Sequence, residues 1–226
     1  MIIENKGGIY AVLTGDIVKS AKLDPVNLKM VIQSIKEGQA SFGQVYPGAM
    51  IGLPDIFSGD SWQVLMGHEH LSIRAVLYFK ALVKAVKGLN ADTRIALAWG
   101  KIDESAVNPE RISESTGEAF TLSGRALAEM DKSRRLVMKL PDTLIQNKES
   151  AYSLLPDTIL LLEEISNRWT EKQAEAIVSA LLGVKQKTIA AELSIVQSTV
   201  NKRLNGAGWN NLSQYLGCIE YRLMRR

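Results

Sequence analysis

Residues 8–23, GIYAVLTGDIVKSAKL, contain an apolar run that leads directly into an aspartate. The run from Ile9 to Leu13 predicts a strand that is apolar on both faces and lies in the middle of a sheet covered by helices. Asp16 then lies at the carboxyl end of this strand, where Gly15 is expected to allow a sharp turn. Ligands bind at such strand ends in open sheets, so Asp16 is a candidate site residue, with a turn-capping role as the alternative.

The composition is that of a folded globular protein, with 46% hydrophobic and 23% charged residues. The one cysteine, Cys218, cannot form an internal disulfide, and no Cys/His cluster has zinc-site spacing. The N-terminus lacks the pattern of a signal peptide, and no apolar run approaches the ~20 residues of a membrane span. We therefore expect a soluble, cytoplasmic protein.

Basic residues are concentrated at the C-terminus. The net charge of +3 is too small to indicate a nucleic-acid partner by itself, but residues 185–226 carry seven basic residues against two acidic ones. This excess is compatible with a phosphate-rich partner, and also with a solvated surface.

Hydrophobic periodicity predicts the order strand, helix, hairpin, helix, strand, helix, strand. After the first strand, these elements are expected at 28–42, 49–57 with 61–66, 71–86, 94–100, 117–130 and 135–140. The stretch after Pro141 is polar and turn-rich, and from Thr158 onward only helical periodicity remains. We place a domain boundary near residue 150, with an α+β domain at 1–150 and a helical domain at 151–226.

Asp60 lies at the tip of the predicted hairpin, in the turn Ser58-Gly59-Asp60. If the hairpin pairs beside the first strand, Asp16 and Asp60 come close together. Two carboxylates and a nearby backbone carbonyl form an oxygen site suited to Mg or Mn, completed by substrate phosphates. Such a pair can hold two ions about 3.5 to 4 Å apart for phosphoryl or nucleotidyl transfer. The alternative is that both aspartates are turn residues of an inactive scaffold.

Four segments resemble class III nucleotidyl cyclases, in the order of that family and over roughly residues 9–140. They are LTGDIVKS, SGDSWQVLM, RIALAWGKI and GEAFTLSGRAL. The resemblance implies a ferredoxin-like, nucleotidyl cyclase-like α/β sandwich within an α+β protein. It also implies a homodimer with composite sites, in which the aspartates of one chain meet Arg125 of the other.

In this resemblance Asp16 and Asp60 match the metal ligands, and Arg125 matches the arginine that stabilises the transition state. Thr121, the second candidate catalytic residue, stands where the family has an asparagine. After RLVMKL the family continues with strands that carry a triphosphate-binding lysine, whereas this chain becomes helical. Losing the lysine and the asparagine is expected to slow purine cyclisation by orders of magnitude.

The residues that would read the nucleotide also depart from the family. Ile56 stands in place of a purine-selecting lysine, and Glu114 in place of its aspartate partner. Ser20, in the phosphate-binding turn after Asp16, completes the candidate nucleotide-binding residues. The resemblance thus retains the metal site and loses base recognition.

A second motif, KTIAAELSIVQSTVNKRL at 187–204, predicts a helix-turn-helix. Ile189 and Ala190 form the apolar face of a first helix, and Val200 and Leu204 anchor a second one after a turn at Ser194. A preceding helix, capped by Thr170, completes a trihelical unit. The outward side chains are candidate DNA-binding residues: Lys187, Gln197, Ser198, Thr199, Asn201, Lys202 and Arg203.

This segment is similar to helix-turn-helix modules of bacterial regulators of the LuxR or sigma-region-4 type. A packing or dimerisation unit without DNA contact is the alternative. Together the two halves resemble the SatD-like family. The leading hypothesis is a DNA-binding transcriptional regulator with double-stranded DNA, a nucleotide and a second copy of the chain as partners. Its cyclase-like domain would bind metal and nucleotide or serve as a dimer scaffold.

Two other functions stay open at this point. One is an active metal-dependent nucleotidyl cyclase or phosphotransferase with a helical regulatory domain, and the other is a protein-interaction adaptor.

Overall fold

The first part of the chain is a mixed α+β structure. The structure is a computed structural model that describes residues 8–145 and 152–225. Its first elements are β1 (Tyr10–Ile17), α1 (Pro25–Val45), β2 (Met50–Phe57), β3 (Ser61–Met66), α2 (Ser72–Lys84), β4 (Thr93–Gly100), α3 (Glu118–Glu129) and β5 (Leu136–Lys139). This confirms the predicted order of strands and helices.

The five strands form one sheet in the order β2-β3-β1-β4-β5. β1 is central, as its apolar run predicts, and pairs antiparallel with both β3 and β4, whereas β5 lies parallel to β4. Alternate side chains of β1 face opposite layers. Leu13 and Ile17 pack in the large core beneath α1 and α2, while Tyr10 and Val12 belong to a smaller cluster beneath α3.

Gly15 does not make the sharp turn expected from the sequence, because β1 continues to Ile17. Gly15 lies in the strand directly opposite Trp62 of β3. A Cβ atom at this position would be 2.4 Å from Cε2 of Trp62 and 2.7 Å from the carbonyl oxygen of Arg94. The glycine is therefore needed for close packing of the Trp62 indole against the strand. The prediction of a sharp turn at Gly15 was wrong.

α1 begins at Pro25, three residues before the start expected from the periodicity, because Asp24 caps it. The Asp24 carboxylate accepts a hydrogen bond of 2.9 Å from the backbone N–H of Asn27, and Pro25 occupies the first turn. Val31, Ile35 and Phe42 supply its buried face.

Six more helices complete the described chain. They are α4 (Asp142–Ile145), α5 (Leu155–Asn167), α6 (Glu171–Leu181), α7 (Gln186–Glu192), α8 (Gln197–Gly206) and α9 (Trp209–Met224). α2 lies between the sheet and α5 with α6, so it is buried along nearly its whole length. None of the helices in the described ranges is both long and apolar enough to cross a membrane.

Polar contacts join the helical half of the chain (residues 152–225) to the sheet half (residues 8–145). Arg74 of α2 donates to both carboxylate oxygens of Glu220 in α9, at 2.7 and 2.9 Å, and to the Leu181 carbonyl at 3.0 Å. The Tyr46 hydroxyl donates to the same carbonyl at 2.9 Å. The boundary predicted near residue 150 falls on residues 146–151, outside the described residues, so the division into 1–150 and 151–226 stays a prediction.

Candidate functional site

The sheet brings Asp16 and Asp60 to the same edge. In the β1–β3 register Asp16 lies opposite Ser61, the residue after Asp60. The Ile17 N–H also donates to the Asp60 carbonyl at 3.2 Å. The pairing of the hairpin beside the first strand, the condition for bringing the two aspartates together, is therefore observed.

Asp16 has an internal cationic partner in Arg94, which lies opposite it on β4. Arg94 Nε donates to Asp16 Oδ1 at 2.9 Å, and Arg94 Nη2 donates to Asp16 Oδ2. The two side chains are only 25% and 18% exposed. Hydrogen bonding to Asp16 raises the pKa of Arg94 above its usual value. The pair is a two-pronged guanidinium–carboxylate contact, the strongest geometry for such a pair.

Asp60 is held by Ser20, whose hydroxyl donates to Asp60 Oδ2. Ser20 begins a single 3₁₀ turn after Lys19, a non-glycine residue with a left-handed backbone (φ 56°). The structure thus places the predicted nucleotide-binding residue Ser20 beside the aspartate.

Two cavities meet at the Asp16–Arg94 pair, and both residues line each cavity. The first, of about 470 Å³, lies between the sheet and α3 and is also lined by Thr14, Phe57, Gln63, Ser113, Gly124, Leu127 and Ala128. The second, of about 400 Å³, is also lined by Ile17, Val18, Lys19, Asp60, Lys132 and Arg135. We call the second one the basic cavity because four of its lining residues are cationic.

Sequence reasoning missed Asp55, a buried carboxylate on β2. It accepts hydrogen bonds from the Ser113 hydroxyl and from the Ser113 N–H (3.1 Å), with Arg111 Nε at 3.5 Å. Burial raises the pKa of Asp55, but the Ser113 hydrogen bonds and the Arg111 charge outweigh it and hold the pKa below its ordinary value. A charged residue within the apolar segment LPDIF was the available signal.

Ile56 lies on the other face of the sheet, packed against the core that contains Trp62. The pairing of β2 with β3 is irregular between Ile51 and Asp55, where the register shifts. After the shift Asp55 lies opposite Gln63, a residue that lines the first cavity. The structure therefore does not bring Ile56 to either cavity.

The other residues carried over from the resemblance are exposed and lie outside both cavities. Glu114 pairs with Arg111 at 3.4 Å and accepts from Asn108 at 3.1 Å. Thr121 and Arg125 lie one turn apart on the exposed face of α3. Their participation in a site shared between two chains stays a prediction.

Carboxylate oxygens of the acidic pair already have hydrogen-bond partners in this arrangement, so a divalent metal at this position stays a prediction. Both Asp16 oxygens already accept from Arg94, and one Asp60 oxygen accepts from Ser20. Mg²⁺ requires near-octahedral oxygen ligands. Within residues 8–145 and 152–225, no three His, Cys, Asp or Glu side chains are grouped so that they could hold an ion.

A second candidate site is the outer face of α8. Ile189, Ala190, Val200 and Leu204 are buried, as predicted. Ser194 adopts a left-handed conformation (φ 53°) in the turn between α7 and α8. Of the predicted DNA-binding residues, five are exposed and Thr199 is half-buried; the exposed ones are Lys187, Gln197, Ser198, Asn201 and Lys202.

Arg203 differs from the other predicted DNA-binding residues because it has partners inside the helical half. Its Nη1 donates to Glu175 of α6 at 2.9 Å and to the Lys172 carbonyl at 3.3 Å. Only 15% of its side chain is exposed. The structure therefore gives Arg203 a role in joining α8 to α6.

Comparisons with known proteins find a similarity of fold. No family model and no curated protein matches the chain. Two solved structures of a bacterial light-regulated adenylyl cyclase are similar to it, each at 17% identity over 57% of this chain, with TM-scores of 0.41 and 0.36. The matches cover 42% and 74% of those chains. A similarity of this size leaves the function to be inferred from the residues of the chain itself.

Proposed function

We propose that this chain is a DNA-binding transcriptional regulator and that α8 is its recognition helix. The observation that supports the proposal is the division of α8 into two faces. Val200 and Leu204 pack into the core, while Gln197, Ser198 and Asn201 are exposed on a helix that follows a tight turn. A recognition helix needs such an outward polar face to reach base edges in the major groove.

The exposed residues divide into two chemical roles. In this proposal Gln197, Ser198 and Asn201 contact base edges. Amide side chains pair with adenine, and a serine hydroxyl can bond to more than one base. Lys187 and Lys202 contact phosphates, which fix the position of the protein on the duplex. Val196, 66% exposed immediately before α8, offers an apolar contact for a thymine methyl group.

The sheet half serves in this proposal as the scaffold that carries the helices and pairs two chains. A symmetric homodimer would present two recognition helices to a two-fold DNA site. The proposed arrangement is that of the SatD-like family which the sequence resembles, in a cytoplasmic protein.

The test begins with selection of genomic fragments bound by the full-length chain, followed by fluorescence anisotropy on the selected duplex at several salt concentrations. We expect Lys202→Ala to weaken binding and to lower the salt slope by ~0.9, as for one lost phosphate contact. Asn201→Ala is expected to relax discrimination between bases by about 1–3 kcal/mol.

The matched control is Lys36→Ala, which removes an exposed lysine of α1. It is expected to leave DNA binding unchanged. Equal effects of Lys36→Ala and Lys202→Ala, or binding that does not weaken with salt, would contradict the proposal and favour a protein-interaction adaptor.

The competing function is a metal-dependent nucleotidyl cyclase or phosphotransferase. The meeting of Asp16 and Asp60 at one edge favours it, whereas the Arg94 contact to Asp16 opposes it. Incubation with each nucleoside triphosphate and Mn²⁺ separates the two functions. We expect no cyclic product; turnover that disappears in Asp60→Asn would establish the enzyme instead.

A further inference from the structure

We propose that the basic cavity binds the phosphate groups of a small polyphosphate or nucleotide through the cations of the protein alone, without a divalent metal. The proposal does not depend on DNA binding. It rests on which charges line the cavity and on the position of Arg94.

The cavity carries more positive than negative charge. Lys19, Arg94, Lys132 and Arg135 line it, against the two carboxylates Asp16 and Asp60. Asp16 is matched by Arg94. Of the remaining cations, Lys19 and Lys132 are exposed, and within the described chain neither has a carboxylate close enough for an ion pair.

Arg135 adds to the excess, because its carboxylate partner is shared. Arg135 Nε lies 3.7 Å from Asp92, which also pairs with Lys80 at 2.8 Å and lies 3.9 Å from Lys84. One carboxylate therefore faces three cations. A multiply charged anion in the adjoining cavity adds the negative charge that these cations lack, since opposite charges attract.

Arg94 takes the place that a metal would need. Its Nε and Nη2 donate to Asp16, so the carboxylate is already neutralised and the guanidinium is held in a fixed plane. No described residue accepts a hydrogen bond from Nη1 of Arg94. A guanidinium fixed on one side by a carboxylate can offer its remaining N–H groups to a phosphate.

A divalent ion would have to displace Arg94 from Asp16 before it could bind there. That requirement distinguishes this cavity from a site in which metal ions bridge carboxylates and phosphates. Phosphate binding here is accordingly expected to persist when divalent ions are removed.

The experiment titrates the full-length chain with pyrophosphate, tripolyphosphate and ATP by calorimetry in EDTA and then in Mg²⁺. We expect binding in EDTA, with an affinity that Mg²⁺ does not increase. Tripolyphosphate and ATP binding with equal affinity would identify phosphate alone as the ligand. Tighter binding of ATP would show that the nucleoside contributes, with the adjoining first cavity as its place.

Two exposed lysines give variants that are expected to fold. Lys132→Ala and Lys19→Ala should each weaken tripolyphosphate binding about fivefold, the effect of one unit charge at ~4 Å in water-like surroundings. Lys36→Ala is the control and should have no effect. Absence of binding in EDTA, or equal affinity in Lys132→Ala and Lys36→Ala, would overturn the proposal.

Arg94→Gln tests the metal position directly. In this variant Asp16 loses its guanidinium partner, so Mn²⁺, followed by the paramagnetic resonance of the free ion, is expected to bind more tightly than to the wild type. Phosphate binding in EDTA should weaken in the same variant. Wild-type binding of Mn²⁺ as tight as that of Arg94→Gln would show that Arg94 does not occupy a metal position.

Discussion

The two faces of the sheet have opposite chemistry, although the same strands form both. Beneath α1 and α2 the face is apolar, with Leu13, Trp62 and Leu97 fully buried in one continuous core. Beneath α3 it becomes polar toward the end of β1. There Gln63 donates to the Thr14 hydroxyl at 2.8 Å, and the Thr14 and Ser123 hydroxyls lie 2.9 Å apart.

This difference shows how a small sheet can carry both stability and a site. Apolar burial on the first face supplies stabilisation that does not depend on the other face. The second face can therefore carry buried polar groups and two cavities, which stabilise a fold less than close apolar packing does. Mutations on the two faces should therefore differ in the type and in the size of their effect on stability.

The largest expected effect is that of Trp62→Ala on the apolar face. Trp62 is 1% exposed, and its ring centroid lies 5.2 Å from that of Phe79, with the two rings tilted. Its indole N–H donates to the Thr93 hydroxyl at 3.1 Å. Its truncation should lower the free energy of unfolding by about 3–5 kcal/mol, measured by urea denaturation. The control is Phe57→Ala, because Phe57 is half-buried and lines the first cavity. This change should lower the free energy of unfolding by less than half as much. Equal losses would mean that the two faces contribute equally to stability.

A loss of about 3 kcal/mol is expected for Glu220→Ala at the junction between α2 and α9. The change leaves Arg74, only 13% exposed, without the carboxylate that it contacts through two nitrogens. Calorimetric melting should show a lower Tm, by roughly 2–4 °C for each kcal/mol. The control is Glu164→Ala, which removes an exposed i,i+4 pair with Arg168 and should change Tm very little.

The sequence predicted elements formed by neighbouring residues better than contacts between distant ones. The run from Ile9 to Leu13 indicated a central strand, and the Ser58-Gly59-Asp60 turn indicated the hairpin that brings Asp60 beside Asp16. Both inferences use residues that are close in sequence, where periodicity and turn chemistry act directly.

Arg94 could not be assigned to Asp16 in the same way. The two residues are 78 positions apart, and they meet only because β4 pairs with β1 in one particular register. The faces on which Asp55 and Ile56 lie are set by an irregular pairing of β2 with β3, which no periodic pattern of the sequence reveals. A turn was predicted wrongly at Gly15 because turns and tight packing contacts both favour glycine.

On the polar face, Thr14→Val should cost about 1–3 kcal/mol, because the buried Gln63 amide loses its acceptor while the shape of the side chain is kept. Urea denaturation measures the loss. Thr14→Ser retains the hydroxyl and should recover most of it. If Thr14→Ser is as unstable as Thr14→Val, the packing of the methyl group and not the hydrogen bond determines stability at this position.

The smallest effect is expected for Asp55→Asn and depends on pH. Since the folded pKa of Asp55 is lowered, its charge stabilises the fold above the ordinary pKa of ~4, and this contribution is lost as the pH falls through the folded value. The variant should be less stable than the wild type by about 1 kcal/mol at neutral pH, and the difference should shrink below pH ~4. Urea midpoints from pH ~7 to ~3 measure it, with Glu110→Gln as an exposed control. A difference that stays constant with pH would mean that Asp55 stabilises the polar face through its shape and its neutral hydrogen bonds, and that its charge contributes nothing.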